Sequence, residues 1–260
     1  MDLGLDGDVA LTTASTAGLG GASAESLARE GAHVAVCGRD PERLAAARER
    51  LADVGPGEVL GVRADVTDGS DLERLVEATV ERFGAIDHLV TSAGGPPPGG
   101  VLDLDDEAWY AAYDLLVMSV VRAVRAAHPY VADGGGTITC VASRTVREPM
   151  DGLVLSNAVR RGVVGLVKTT ARAFAPAVRT NAVLPGPFET SRIEGLVEHG
   201  VETGEYADYE SGLASYAERV PLGRIGDPRE LGDTVAYLAS SRGGFVNGVC
   251  LPVDGGALRS

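Results

Sequence analysis

A chain of 260 residues with 45% hydrophobic content carries enough apolar material for a large α/β domain, which excludes an unfolded or low-complexity polymer. Its formal net charge of −14 argues against a nucleic-acid partner. No apolar run reaches the length of a bilayer span and no basic segment precedes an apolar one near Met1, so the chain reads as soluble and cytoplasmic with no membrane association.

The elements follow in order. An apolar run at 9–11 predicts a buried strand. A turn of small residues from Thr13 to Gly20 comes next, and Ala22, Leu27 and Ala28 then recur at helical spacing. Strand, tight turn and helix start together predict a phosphate cradle, because glycine lets the backbone approach a pyrophosphate and the helix start offers free N–H groups. Residues 33–37 read as a strand and 41–52 as a helix, with Asp40 as cap and Pro41 in its first position. A strand at 59–63, a helix at 71–83, a strand at 87–91 and a long helix at 105–131 follow. The rest is a strand at 136–142, a second long helix at 153–174, a strand at 178–184, a helix at 228–239 and a last strand at 249–253. Residues 188–220 are polar and acidic with scattered apolar positions. Seven strands alternating with helices predict an α/β fold, a doubly wound parallel sheet with helices on both faces, in a single domain over 1–260. Ligands of such sheets sit beyond the C-terminal strand ends, which directs attention to the loops beginning at Thr13, Cys37, Asp65, Ser92, Ser143 and Pro185.

Gly38 and Arg39 stand where an acidic residue would accept hydrogen bonds from an adenosine ribose. They leave room and charge for a 2′-phosphate, which favours NADP(H) over NAD(H), although a solvated surface arginine reads the same way. Asp65 and Val66 place a carboxylate near an adenine amino group, and Ser92 to Gly95 form another small-residue loop. The run Pro96-Pro97-Pro98-Gly99-Gly100 is a stiff rim. Cys37, Cys140 and Cys250 read as small core residues, and the histidines at 33, 88, 128 and 199 lack metal spacing, so no metal site is expected. Lys168 is the only lysine beside 22 arginines, which suits solubility in concentrated salt or reflects a GC-rich genome.

Along essentially its whole length the chain resembles the short-chain dehydrogenase/reductase family. Thr13-Ala14-Ser15-Thr16-Ala17-Gly18-Leu19-Gly20 is similar to its T-G-x-x-x-G-[IL]-G, with Ala14 in place of the first glycine. Asp65-Val66 matches its D-V, Thr91-Ser92-Ala93-Gly94 stands for N-N-A-G, Asn181 to Gly186 for N-x-[IV]-x-P-G, and Asp254-Gly255-Gly256 for D-G-G. The resemblance implies a Rossmann-type domain that binds its cofactor through Thr13, Ser15, Thr16, Gly18, Leu19, Gly20, Arg39, Asp65, Val66, Ala93, Gly94, Arg160, Pro185, Gly186, Phe188 and Thr190. It also implies a homotetramer or homodimer joined through the helices at 105–131 and 153–174, a small-molecule substrate, and a mobile substrate lid at 188–220.

The departures fall on the chemistry. The family pairs a serine with a tyrosine and a lysine, usually with an asparagine. The serine position matches Ser143, but the tyrosine falls on Ser156, the lysine on Arg160 and the asparagine on Leu116. Serine is too short and too weak an acid to replace a phenol, and guanidinium stays protonated and cannot relay a proton. The catalytic candidates are Ser143, Ser156 and Arg160, and the proton can come from Ser143, Ser156, Glu148, a pocket-facing tyrosine or water. Arg144 and Arg147 either polarise a carbonyl or hold an anionic substrate, or they are surface charges paired with Glu148 or Asp151. In the lid Glu189, Glu194, Glu198, Glu202, Glu205, Asp208 and Glu210 stand against Arg192, which gives no invitation to an acidic acyl carrier, and Tyr206, Tyr209 and Tyr216 cover a substrate or simply pack. Three readings follow. The first is an NADP(H)-dependent oxidoreductase of carbonyls and alcohols, 3-oxoacyl-reductase-like, with a non-standard acid/base. The second is a nucleotide-binding sensor without turnover, and the third a non-redox lyase or isomerase in the same pocket.

Overall fold

The computed structural model describes residues 2–259. All four residues of β1 (Val9–Thr12) are buried, and the strand pairs in parallel with β2 (His33–Gly38) on one side and β4 (His88–Thr91) on the other. With β3 (Val59–Arg63), β5 (Thr137–Val141), β6 (Arg179–Pro185) and β7 (Cys250–Val253) the order is β3-β2-β1-β4-β5-β6-β7, parallel throughout. Strands buried on both faces need apolar residues at nearly every position, which is why these runs do not alternate. The chain reverses its direction of travel across the sheet between β1 and β4, so a crevice opens there above the strand ends.

Two apolar layers cover the sheet. On one face α3 (Gly69–Phe83), α5 (Ser119–Gly134) and α7 (Arg161–Ala173) bury Leu72, Leu75, Val124, Ala127, Val163 and Val167 against Leu11, Leu89 and Ile138. On the other, α1 (Gly18–Arg29), α2 (Pro41–Ala52) and α10 (Pro228–Ala239) bury Leu27, Leu44, Leu51, Leu231 and Val235 against Ala10, Val34 and Val36. At Gly232 a side chain would collide with the Ala22 carbonyl, so this glycine sets the close approach of α10 to α1. Cys37, Cys140 and Cys250 are all free and buried.

Several expectations are corrected. α3 begins at Gly69, two residues early, because the Asp68 carboxylate accepts from the Ser70 and Asp71 amides and caps it there. The helix expected at 105–131 runs through Asp106–Gly134 as α4 (Asp106–Tyr113), a π-turn at Asp114–Met118, and α5. By length and composition alone this helix is apolar enough to cross a membrane, but Val120, Ala123, Val124 and Val131 are buried against the sheet, as in a core helix. The helix expected at 153–174 is divided at Arg160 into α6 (Val154–Val159) and α7. Residues 188–220 contain α8 (Ser191–Glu202) and α9 (Tyr209–Glu218), whose scattered apolar residues Ile193, Val197 and Tyr216 meet Ile225 in a small core of their own. Asp208 caps α9 through a reciprocal pair of hydrogen bonds with Ser211.

Candidate functional site

Between β1 and α1 the backbone turns sharply enough to place Ala14 at φ 46° and Gly18 at φ 58°. The first angle suits glycine, which the family pattern has there, and alanine holds it at a steric cost. Gly20 admits no side chain, since a Cβ there would lie 2.6 Å from the Ala14 carbonyl oxygen. Ala17, ahead of α1, provides no side-chain cap, so amides of the first turn stay available toward the cleft. The cleft encloses about 540 Å³ and runs from α2 to α9 over the strand ends.

Thr16, Gly18, Leu19 and Gly20 line this cleft, but Thr13 and Ser15 do not. The Thr13 hydroxyl donates to the Ser92 carbonyl at 2.8 Å and accepts from the Ser92 amide at 2.9 Å, tying the β1 loop to the β4 loop. Ser15 Oγ donates to the Thr12 carbonyl and accepts from the Cys37 amide. Both hydroxyls therefore shape the turn rather than face a ligand, which corrects their assignment as cofactor contacts.

At one end of the cleft the wall includes Gly38, Arg39, Asp40, Arg43, Asp65 and Val66. A Cβ on Gly38 would sit 2.5 Å from Thr16 Cγ2, so only glycine lets β2 end this close to the turn. The Arg39 side chain is 79% exposed and its Nη1 lies 3.8 Å from the Asp65 carboxylate. Asp65 Oδ1 is held by the Thr67 amide and hydroxyl at 2.9 and 2.7 Å. Arg43 escaped the sequence reading; its position four residues after Arg39, in the first turn of α2, was the available signal.

At the other end Ser143, Ser156 and Arg160 meet as expected, joined by Thr145. Ser143 Oγ accepts from the Thr145 amide at 3.2 Å, and Thr145 Oγ1 lies 3.1 Å from Ser156 Oγ. A short 3₁₀ turn at Arg144–Val146 rotates Thr145 inward, a feature no residue spacing announced. Arg160 is 8% exposed. Its Nη1 and Nη2 donate to the carbonyls of Ala142 and Gly94, each at 3.3 Å, while Nε is buried without a partner. Burial lowers this guanidinium to about 10, and the charge of Arg192 pushes the same way. Leu116 is 1% exposed, and it is Leu115, beside it in the π-turn, that lines the cleft.

The remaining candidates separate cleanly. Arg144 lines the cleft, whereas Arg147 is exposed and donates to the Cys250 carbonyl at 2.9 Å. Glu148 accepts from the Arg259 amide and lies outside the lining, which removes it as proton donor. Ala93, Gly94, Pro185, Gly186, Phe188 and Thr190 all line the wall, and Phe188 packs on Gly226, where a Cβ would come within 2.6 Å of the ring. Of the lid tyrosines only Tyr216 reaches the cleft, with its hydroxyl raised by burial. Tyr206 packs edge-on against Tyr216 and fills the space beside Gly200 and Gly212, and Tyr209 is exposed. Among the described residues no cluster of His, Cys, Asp or Glu could hold a metal. A dinucleotide fits this cleft on three counts: Gly20 and Gly38 let the turn close tightly against the strand ends, Gly94 has open space within 4 Å where a side chain would project, and Arg160 Nε is buried without an acceptor.

The family model described as enoyl-(acyl carrier protein) reductase matches residues 13–257. Dehydrogenase/reductase SDR family member 4 of Caenorhabditis elegans is 32% identical, over 96% of this chain and 95% of its own length. The L-sorbose reductase of Gluconobacter frateurii, in a crystal structure with NADPH and L-sorbose, superposes with a TM-score of 0.94 at 31% identity, each chain covered in full. A short-chain oxidoreductase of Pseudomonas aeruginosa, described as containing an atypical catalytic center, is 34% identical with a TM-score of 0.88, covering 97% of this chain and 98% of its own.

Proposed function

The chain belongs to the short-chain dehydrogenase/reductase family, and we propose that it is an NADP(H)-dependent oxidoreductase of carbonyls and alcohols with a non-standard acid/base, in which Ser143 donates to the substrate oxygen and water returns the proton. The observation that carries this reading is Ser143 on the cleft wall, its Oγ accepting from the Thr145 amide, in a lining shared with the Thr145–Ser156 hydroxyl pair and Arg160. Gly18, Leu19 and Gly20 would hold the pyrophosphate on the first turn of α1, Arg39 and Arg43 the 2′-phosphate, and Arg160 the nicotinamide ribose. Bound there, NADP(H) supplies the hydride chemistry. The L-sorbose reductase superposed above holds NADPH, which supports the cofactor choice.

The protein's own part is to orient a carbonyl and manage one proton. Ser143 Oγ accepts from a backbone amide, so its hydrogen is free to donate to a substrate oxygen. The proton that Ser143 gives up is returned by water; the Thr145 and Ser156 hydroxyls, 3.1 Å apart, line the space a tyrosine would have filled and can hold that water, while Thr145 reaches Ser143 only through its backbone amide. Arg160 cannot relay that proton, but its fixed charge stabilises negative charge gathering on the substrate oxygen. The test is NADPH consumption against a panel of aldehydes and ketones with Ser143→Ala in parallel. Turnover that falls about 100-fold in Ser143→Ala at unchanged NADPH affinity is the expected result. NADPH binding without turnover on any carbonyl would favour the sensor reading.

A further inference from the structure

The two ends of the cleft differ in charge balance. The lining carboxylates, Asp40 and Asp65, both stand at the end with Arg39 and Arg43. The reacting end is lined by Arg144, Arg160 and Arg192 with no acidic residue among its lining. This is unusual in a protein with 37 acidic and 23 basic residues. Arg192 stands in the first turn of α8 and lays its guanidinium over Gly95, where a Cβ would lie 2.7 Å from Cζ. Among the described residues no carboxylate lies within ion-pair distance of Arg160 or Arg192. Arg160 is more than nine-tenths buried, and its Nε has no acceptor. Burial lowers both guanidiniums, and the charge of Arg192 lowers Arg160 further.

Two unneutralised guanidiniums converging on one cleft carry a standing electrostatic cost that an oxyanion would relieve. We propose that Arg192, with Arg160 beneath it, forms an oxyanion clamp that selects a small substrate bearing a carboxylate or phosphate next to its reacting carbonyl. The proposal rests on the oxidoreductase reading and names the substrate class of that site.

Two matched pairs of probes test it by calorimetry on the full chain, with and without NADP+: acetoacetate against methyl acetoacetate, and dihydroxyacetone phosphate against dihydroxyacetone. The clamp predicts at least 10-fold tighter binding of the anion in one of the pairs. It also predicts that Arg192→Gln erases that preference while NADPH affinity stays within about 2-fold. Which pair shows the preference distinguishes carboxylate from phosphate. Equal binding within both pairs overturns the proposal. So does an Arg192→Gln chain that loses NADPH affinity 10-fold and keeps the anion preference, since the guanidinium would then belong to the cofactor's phosphates. Failure of NADPH to bind at all refutes the oxidoreductase reading instead, and the probe pairs on the cofactor-free chain still decide the clamp.

Discussion

Replacing Arg160 by methionine should make the cofactor-free protein more stable and a poorer cofactor binder. Burial brings this guanidinium down to about 10, which corresponds to a penalty of about 3 kcal/mol on its charged form in the folded state. At 8% exposure little of that is relieved by solvent. The folded value lies below the unfolded one, so for a cation the penalty is in full force below about pH 10 and fades as pH rises above it toward the ordinary arginine value. Against it stand two hydrogen bonds of 3.3 Å to the Ala142 and Gly94 carbonyls, worth about 1 kcal/mol each. Methionine keeps the unbranched stem and its packing. The balance is a gain of about 1 kcal/mol, or roughly 2–4 °C in Tm. Thermal unfolding of the cofactor-free chain between pH 6 and 9 should show a constant gain, and saturating NADPH should raise the variant's Tm less than the parent's. A variant destabilised by more than 1 kcal/mol would refute the reasoning, because Arg160 would then be a satisfied structural residue.

Three further outcomes are expected. Replacing Arg39 and Arg43 together by alanine should weaken NADPH about 30-fold, from loss of roughly 2 kcal/mol of charge-assisted bonding, and leave NADH within 3-fold; equal losses for both cofactors in fluorescence titrations would remove the 2′-phosphate assignment. Ala14→Gly relieves a left-handed backbone at φ 46° and should add about 0.5 kcal/mol after the extra freedom of glycine in the unfolded chain, so a fall in urea midpoint would contradict the turn geometry. The Arg224 guanidinium and the Asp227 amide hold Glu230 down at about 2, against an ordinary 4.5. That stability is present above pH 4.5 and is lost as pH falls through 2, so Glu230→Gln should be less stable than the parent at pH 6 and converge with it near pH 2.

The sheet was legible in the sequence because its strands are buried on both faces and read as unbroken apolar runs; each of the seven lies within about one residue of its expected bounds. The acidic stretch at 188–220 was not, since α8 and α9 bury only a few apolar residues in a private core and show mostly solvent-facing charge. Near Ser143 the residue types were readable and their directions were not. Thr145 points inward only because a 3₁₀ turn rotates it, and Glu148 turns toward Arg259. Thr13 and Ser15 looked like ligand contacts because hydroxyls near a phosphate cradle usually are, yet the tight turn uses both internally. Arg192 was counted as one cation among lid acids; its importance lies in lying over Gly95 near enough for its charge to act on Arg160, a relation between distant segments.

The central claim is that Ser143 with water, beside the Thr145–Ser156 hydroxyl pair, does the work left by the missing tyrosine and lysine. Its most direct measurement is NADPH consumption matched to alcohol formed, across a carbonyl panel, for the parent chain and for Ser143→Ala and Ser156→Ala. Stoichiometric turnover in the parent, lowered about 100-fold in Ser143→Ala and at least 10-fold in Ser156→Ala at normal NADPH affinity, is the predicted result. Tight NADPH binding with no alcohol formed, or turnover indifferent to both serines, would contradict the account.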